Sequence, residues 1–298
     1  MTHNNNFNPL PWYTSLDQQN HRKSYAYGSI YPLYTPANFM LPWQVQINAS
    51  GIHYLSLSVY KEDGTLYQSV DPNDIDRDIV YVNTTNYAYA ICIPAFPLVS
   101  NQPDGRYYAV MIIEPEDEGA ERIILYSEVY TVVQSMDNFL KIEWYDENDL
   151  VYNGGQINYS SKIQYKNFIY LPTELGKPEY TFEETGEDRD GFYFPEKQLS
   201  EKTYRFNFLA PEYMLDAMRI IRLSDYVKIT DQFGVEYKVD KFLMTPKWTQ
   251  NGDLAQVQAE FQTNTVIKKI GRGVVTGGDA DYNADYNNDY LINNNQNS

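Results

Sequence analysis

Apolar and polar positions alternate most clearly along residues 198–210. Tyr204, Phe206 and Phe208 occupy every second position there, and Arg205 and Asn207 stand between them. A period of two is typical of a β-strand that buries one of its faces. The pattern therefore predicts a long strand, and the aromatic positions predict which face is buried.

The residues after this strand predict a helix over 211–223. Pro211 ends the strand and suits the first turn of a helix, where a backbone N–H is not needed. An apolar stripe at helical spacing follows, and it consists of Met214, Leu215, Met218, Ile221 and Leu223. Glu212 near the start, and Arg219 and Arg222 near the end, match the polarity of the helix dipole. We expect the stripe to face the core.

Further strand patterns surround this helix. They cover residues 139–145, 168–171, 179–184, 226–230, 235–239, 242–245 and 255–261. The acidic residues 183–190 are interpreted as a loop. An antiparallel β domain over 139–270, with the helix packed against it, accounts for this order of elements.

Residues 43–134 predict a separate β-sandwich domain. The candidate strands are 43–47, 54–60, 79–82, 87–93, 107–113 and 123–133, and Asp63-Gly64 and Asp104-Gly105 are hairpin-type turn signals. So many short strands in about 90 residues are typical of an immunoglobulin-like or fibronectin-like sandwich, although the Cys…Trp…Cys pattern of antibody domains is missing. The predicted fold class is therefore mainly β: an N-terminal immunoglobulin-like β-sandwich and a second antiparallel β domain carrying one helix, with a boundary at 134–138.

Residues 1–42 and 271–298 are two end segments of unusual composition. The first is rich in aromatic residues and prolines, which predicts an extended arm packed onto its own domain or onto a neighbouring subunit. The second is rich in Gly, Asn, Asp and Tyr and repeats an Asp-Tyr pair every four residues from Asp281. Such a polar segment cannot build a core alone, so we expect it to lie extended along a neighbouring chain.

The chain of 298 residues has 40 acidic and 23 basic residues and a formal charge of −17. This charge disfavours binding to nucleic acid and to anionic membranes, which requires basic surface, and it suits docking to basic partner proteins. The 29 tyrosines favour strands and protein contacts alike. The first residues lack the pattern of a signal peptide, and no apolar run reaches about 20 residues, so no transmembrane helix is expected.

Residues that could bind a metal or support catalysis are scattered. Cys92 is the only cysteine, which excludes an intrachain disulfide and a cysteine metal cluster, and the three histidines have no ligand spacing. Four neighbouring acids are candidates for a calcium site or a catalytic carboxylate pair: Glu183, Glu184, Asp188 and Asp190. Their spacing fits no calcium loop and favours a solvated loop. We expect no cofactor, no metal and no catalytic residue.

Several phrases of the sequence resemble structural proteins of crAss-like podophages, phages of Bacteroidetes bacteria with short ringed tails. The phrases are Lys141-Ile-Glu-Trp-Tyr145, residues 170–182, Phe192-Tyr-Phe-Pro-Glu-Lys197, Phe208-Leu-Ala-Pro-Glu-Tyr213, Gly252-Asp-Leu254, Tyr31-Pro-Leu-Tyr-Thr-Pro36 and Leu41-Pro-Trp43. The resemblance implies a virion component that forms a ring of many copies and contacts other rings, the portal or the fibres. It supplies no catalytic residues.

These observations predict a virion structural protein, made in the host cytoplasm, that acts as a ring or connector component of a phage tail and is not an enzyme. Its predicted partners are copies of itself and other tail, portal or fibre proteins. The residues expected to contact them are aromatic residues of the two end segments: Trp12, Tyr25, Tyr31, Tyr282, Tyr286 and Tyr290. Two alternatives stay open, a carbohydrate- or receptor-binding module of a tail fibre and a virion-associated hydrolase, since aromatic rings stack on sugars and acidic chains offer carboxylate pairs.

Overall fold

A computed structural model describes residues 2–4, 8–15, 33–37, 41–47, 52–70, 78–84, 87–93, 102–116, 118–146, 150–151, 157–158, 166–189, 191–248 and 254–269. In these residues the protein is mainly β, which confirms the predicted class. The chain divides into two compact units. The larger unit comprises Met1–Thr181 and Glu201–Thr265, and the smaller unit comprises Phe182–Ser200 and Val266–Ser298.

The strands are numbered in chain order. They are β1 (Thr2–Asn4), β2 (Trp12–Tyr13), β3 (Tyr34–Pro36), β4 (Trp43–Ile47), β5 (Ile52–Lys61), β6 (Leu66–Val70), β7 (Asp78–Thr84), β8 (Tyr87–Ile93), β9 (Gly105–Pro115), β10 (Ile123–Ser127), β11 (Tyr130–Val133), β12 (Leu140–Tyr145), β13 (Leu150–Val151), β14 (Ile157–Asn158), β15 (Asn167–Leu171), β16 (Glu179–Arg189), β17 (Phe192–Ala210), β18 (Tyr226–Thr230), β19 (Glu236–Lys238), β20 (Lys241–Trp248) and β21 (Ala255–Lys269). The helix α1 spans Glu212–Met218, and a 3-10 helix follows at Ile221–Leu223.

One large sheet of eleven strands organises the larger unit. Its main path runs β19-β18-β12-β15-β3-β11-β9-β10-β2, and β5 and β6 join it at β9. The pair formed by β3 and β11 is parallel, in contrast to the antiparallel pairs that β12 makes with β15 and β18. The sheet therefore continues across the predicted boundary at 134–138, because β3 bridges the strands on either side of it. Separate folding of the two predicted domains stays a prediction.

The predicted sandwich strands are distributed over two sheets. β4, β7 and β8 belong to a four-stranded sheet with β1, whereas β5, β6 and β9 belong to the large sheet. Trp43 and Val45 of β4 share one hydrophobic core cluster with Leu55, Leu57 and Val59 of β5. The bounds of β4 and β8 match the predicted strands, and β6 was not predicted. The immunoglobulin-like connection of these strands stays a prediction.

The predicted strand over 123–133 is wrong in one respect, because the structure divides it into β10 and β11. At the break, the N–H of Glu128 donates to the carbonyl oxygen of Pro11, and the N–H of Val129 donates to Oε1 of Glu128. These bonds replace the regular ladder between strands. β2 lies beside β10, and β3 lies between β11 and β15. The described parts of the N-terminal arm therefore pack onto their own chain.

The long strand β17 confirms the predicted alternation and extends it. Tyr204, Phe206, Phe208 and Ala210 are buried, as the period of two predicts. β17 begins at Phe192, and β16 continues to Arg189, so that the interpretation of residues 183–190 as a loop is wrong. The acids there do not prevent a strand because both of its faces are solvated, and a solvated strand can carry charge on either face.

The helix is shorter than predicted. Four residues of the predicted stripe are buried, whereas Leu223 is 64% exposed. The reason is that α1 ends at Met218 and the 3-10 helix after it has three residues per turn, which turns Leu223 away from the core. Arg219 is the C-cap of α1 and Arg222 belongs to the 3-10 helix, so neither lies in the last turn of α1 as predicted.

Candidate interaction surfaces

The outward side of β12, β15, β18 and β19 carries an unusual concentration of lysine. We call this surface the lysine face; it consists of Lys141, Glu143, Tyr145, Lys166, Phe168, Tyr226, Lys228 and Lys238, of which Glu143 and Phe168 are buried. Alternation explains it, because the other positions of β12 are buried in the core and those of β18 are Val227 and Ile229. The strand register places Glu143 between Phe168 and Lys228, and Lys228 opposite Lys238.

Glu143 is the electrostatic centre of the lysine face. The Nζ of Lys141 donates to its Oε2 at 2.9 Å, and the Nζ atoms of Lys166 and Lys228 lie 3.7 and 3.6 Å from its Oε1. Burial alone would raise the pKa of this carboxyl, but the hydrogen bond from Lys141 and the three ammonium charges outweigh burial and lower the pKa. Glu143 is therefore an ionised anchor that holds three lysines together.

The lysine face keeps an excess of positive charge. Lys228 also bonds to Oε1 of the exposed Glu236 at 2.8 Å, and this hydrogen bond raises the pKa of the lysine. Four lysines thus face two carboxylates within this part of the sheet. In a chain with a formal charge of −17, such a local surplus is a candidate site for an anionic partner.

Aromatic rings support the ammonium groups of the lysine face. The rings of Tyr145 and Tyr226 stack with centroids 4.9 Å apart. Lys166 lies over the ring of Tyr145 at 4.8 Å, Lys238 lies over Tyr226 at 5.8 Å, and Lys141 lies over Phe168 at 4.6 Å. Cation–π attraction keeps these lysines on the surface of the sheet. Because the ammonium groups cover the rings, the face suits an anion better than a sugar that needs a bare ring.

The second surface is the hairpin segment of the smaller unit, residues 182–200, which we call the acidic hairpin. It contains six acidic and two basic residues, hence a formal charge of −4. The Nε2 of Gln198 donates to Oε2 of Glu184 at 2.5 Å and links its two strands. Some desolvation, and then the nearby charges of Glu184, Asp188 and Glu196, raise the pKa of Tyr193. This tyrosine therefore lies in a negative potential.

Two glycines shape the acidic hairpin. Gly191 has a φ of +80° at the turn, a conformation that favours glycine. A Cβ at Gly186 would collide with the carbonyl oxygen of Phe194 and with the Cα of Pro195. The backbones of β16 and β17 consequently approach each other closely at this point, and any side chain at position 186 would force them apart.

Large aromatic side chains of the acidic hairpin are exposed. Phe182 is 65% exposed, Phe192 is 69% exposed and Phe194 is 52% exposed, and Tyr193 beside them is also exposed. The two strands belong to a four-stranded sheet with β21 and β20, and clustered exposed apolar groups on such a sheet mark interaction sites. The acidic hairpin therefore has the chemistry of a docking element that is both apolar and negative.

An open groove of about 590 Å³ lies between the turn that joins β5 to β6 and the start of β9. Its carboxylates have structural partners: Glu62 pairs with Arg106 at 3.3 Å, and Asp63 accepts the N–H of Thr65 at 2.8 Å. The backbone hydrogen bond from Thr65 lowers the pKa of Asp63. Within the described ranges, no group of three or more His, Cys, Asp or Glu residues is placed to hold a metal ion.

Of the six aromatic residues predicted to contact partners, the structure describes Trp12. Its ring is fully buried and packs against Trp43, with centroids 4.7 Å apart. Trp12 is therefore a core residue with no exposed surface for a partner, which corrects its predicted role. Tyr25, Tyr31, Tyr282, Tyr286 and Tyr290 lie outside the described residues. Of the four candidate acids, Glu183, Glu184 and Asp188 lie in the acidic hairpin, and Asp190 is outside the description.

Sequence reasoning missed both surfaces. The lysine face depends on the pairing of β12 with β18, two strands separated by about 80 residues, and alternation within one strand does not reveal its neighbour. The acidic hairpin had a usable signal: Asp190-Gly191 is a typical hairpin turn between two runs rich in aromatic residues.

No protein-family model matches this chain, and no curated protein matches it in sequence. Among the residues that the structure describes, there is no helix long and apolar enough to cross a membrane.

Proposed function

We propose that this chain is a virion structural protein, a multi-copy ring or connector component of a phage tail. It works by assembly, with copies of itself and with other tail, portal or fibre proteins as partners, and it catalyses no reaction. The resemblance of the sequence to structural proteins of crAss-like podophages supports this role.

The observation that carries the proposal is the exposure of the acidic hairpin. Phe182, Phe192 and Phe194 expose more than half of their surface, although apolar surface of this kind is unfavourable in water. In an assembly protein these rings become buried when the subunit meets its neighbour. A small number of aromatic anchors can then supply most of the binding energy of an interface.

The two alternatives receive less support from the described residues. A carbohydrate-binding module needs an aromatic platform with bare ring faces. On the lysine face, lysines cover Tyr145 and Tyr226, and on the acidic hairpin the exposed rings stand among six acidic residues. A hydrolase needs carboxylates that converge on a substrate, whereas Glu62 and Asp63 in the open groove are held by Arg106 and Thr65. The chemistry of both regions is better explained by contacts between proteins.

Electron microscopy of phage particles tests the proposal. Antibodies raised against the purified chain are applied to particles from cultures that carry this gene, and gold-labelled secondary antibodies report their position. We expect gold at the tail, at a constant distance from the capsid. Particles that contain no trace of the chain, by labelling and by mass spectrometry of their proteins, would contradict a role in the virion. Binding of the purified chain to a glycan array would favour the receptor-binding alternative.

A further inference from the structure

We propose that the acidic hairpin of one copy docks on the lysine face of a second copy of this chain. This inference deepens the assembly role and rests on it, because it names the interface that joins neighbouring copies in a ring.

The first argument is charge complementarity. Two chains that each carry a formal charge of −17 repel each other in most orientations. The lysine face is an exception, because Lys141, Lys166, Lys228 and Lys238 outnumber the two carboxylates among them. The acidic hairpin, with a formal charge of −4, is its electrostatic counterpart. Such complementarity selects one orientation of approach and suppresses the others.

The second argument is that both surfaces combine charge with aromatic rings. The acidic hairpin exposes Phe182, Phe192 and Phe194. The lysine face offers the half-buried pair Tyr145 and Tyr226, together with the apolar methylene stems of its lysines. Phenylalanine rings can pack on these stems and tyrosine edges while carboxylates meet the ammonium groups. If the lysine face bound a purely polar anion instead, the three phenylalanines of the acidic hairpin would stay exposed to water.

The third argument concerns symmetry. The acidic hairpin and the lysine face are different surfaces, and every copy has one of each. A contact between unlike surfaces is heterologous, and its repetition closes a ring when the rotation between copies is a simple fraction of a turn. A self-complementary patch would instead stop at a dimer. The proposed contact thus produces the multi-copy arrangement that the assembly role needs.

Two double variants of the full-length chain test the interface. The hairpin variant is Glu183→Lys with Asp188→Lys, and the face variant is Lys166→Glu with Lys238→Glu. The face variant leaves Lys141 and Lys228, the closest partners of Glu143 and Glu236, unchanged. Matched controls make the same change of charge at exposed positions elsewhere: Glu118→Lys with Glu121→Lys, and Lys61→Glu with Lys247→Glu. Thermal unfolding followed by circular dichroism confirms that each variant is folded.

Sedimentation velocity measures association of each protein over a range of concentrations. We expect the wild type to form multimers that weaken when NaCl rises from about 0.1 to about 1 M, because salt shortens the screening length from roughly 10 to 3 Å. Each double variant should associate about tenfold more weakly, or not at all, because the hairpin variant loses its net negative charge and the face variant becomes negative like the hairpin it must meet. The two control variants should associate like the wild type.

Mixing the two double variants is the decisive experiment. The hairpin of one variant, which carries two added lysines, meets the negative face of the other, and the remaining hairpin and face are native. An equimolar mixture should therefore regain multimers in which the two variants alternate. If the mixture stays monomeric, or if the variants behave like their controls, the inference is overturned. The assembly role is tested separately, by gold labelling of the tail. A wild type that is monomeric at every concentration also overturns the inference.

Discussion

The two halves of β17 belong to one strand but have different surroundings. In the half within the larger unit, Tyr204, Phe206 and Phe208 are buried, and Phe261 lies near the first two of them, with centroids 5.2 and 6.4 Å away. In the half within the acidic hairpin, Phe192 and Phe194 are mostly exposed. A period of two thus identifies a strand and its faces, whereas burial requires a second layer of protein against one face. In the acidic hairpin, we propose, a second copy supplies that layer.

The largest expected effect separates these halves directly. Phe206→Ala removes a ring from the packed core and should lower the free energy of unfolding by about 3–5 kcal/mol. Phe194→Ala, the same change in the same strand, should alter it by less than about 0.5 kcal/mol, because this ring is mostly in water. Urea unfolding measures both. Similar losses of unfolding free energy in the two variants would contradict the distinction between a buried and an exposed half of β17.

Association should distinguish the same variants in the opposite way, with the larger effect in Phe194→Ala. In sedimentation velocity, Phe194→Ala should associate more weakly than the wild type at the same protein concentrations, because the exposed ring is a proposed anchor of the interface. A Phe194→Ala variant that unfolds and associates like the wild type would mean that this exposed ring does not contact a partner.

A second prediction contrasts carboxylates of the two regions. Glu143→Gln removes the charge that holds three lysines and should cost about 1–2 kcal/mol at pH 7. Glu184→Gln in the acidic hairpin should cost almost nothing, because Glu184 is exposed. The pKa of Glu143 is lower in the folded state than its ordinary value of 4.5, so its stabilising effect is present above that value.

The pH dependence checks the cause. As the pH falls below 4.5 and passes through the lowered folded pKa, Glu143 becomes protonated in the folded protein as well, and the stability difference between wild type and Glu143→Gln should disappear. Urea unfolding at a series of pH values measures this difference. A difference that stays constant down to the lowest pH would show that packing, not charge, makes Glu143 important.

The sequence predicted what depends on neighbouring residues in the chain. It predicted the mainly β class, the buried aromatic face of β17 and the start of the helix at Pro211. It did not predict that β16 and the beginning of β17 form a hairpin, because charge in 183–190 was interpreted as a loop. The lysine face requires the pairing of β12 with β18, and the burial of Trp12 requires contact with Trp43. Local periodicity does not predict such contacts between segments that are distant in the sequence.

A third prediction concerns the backbone of the acidic hairpin. Gly186→Ala places a Cβ against the backbone of Phe194 and Pro195, and the two strands must separate there, at a local cost of about 1–3 kcal/mol. Gly176→Ala is the control, because its nearest neighbour, the carbonyl oxygen of Arg205, would be at an ordinary 3.7 Å.

Hydrogen exchange with mass spectrometry reads out this local effect. We expect faster exchange of amides in residues 182–200 for Gly186→Ala and an unchanged pattern for Gly176→Ala. The melting temperature of the larger unit should change little in either variant. If Gly186→Ala exchanged like the wild type, the close approach of the two strands would not be a feature of the hairpin in solution.

The smallest expected effect concerns a polar side chain buried inside the core, the reverse of the apolar side chains exposed on the acidic hairpin. Asn167 is fully buried opposite Trp144 in the ladder of β12 and β15, and neither polar atom of its side chain has a hydrogen-bond partner in the described residues. Desolvation of this amide is therefore an uncompensated cost of folding. Asn167→Leu, of similar volume, should change the free energy of unfolding by less than about 1 kcal/mol, and a gain is the expected sign. Asn207→Leu at an exposed position of β17 is the control and should be neutral. If urea unfolding showed that Asn167→Leu lowers the free energy of unfolding by about 2 kcal/mol or more, the amide of Asn167 would be hydrogen-bonded in solution. The core would then contain no unsatisfied polar group at this position, in contrast to the acidic hairpin, which exposes apolar groups to water.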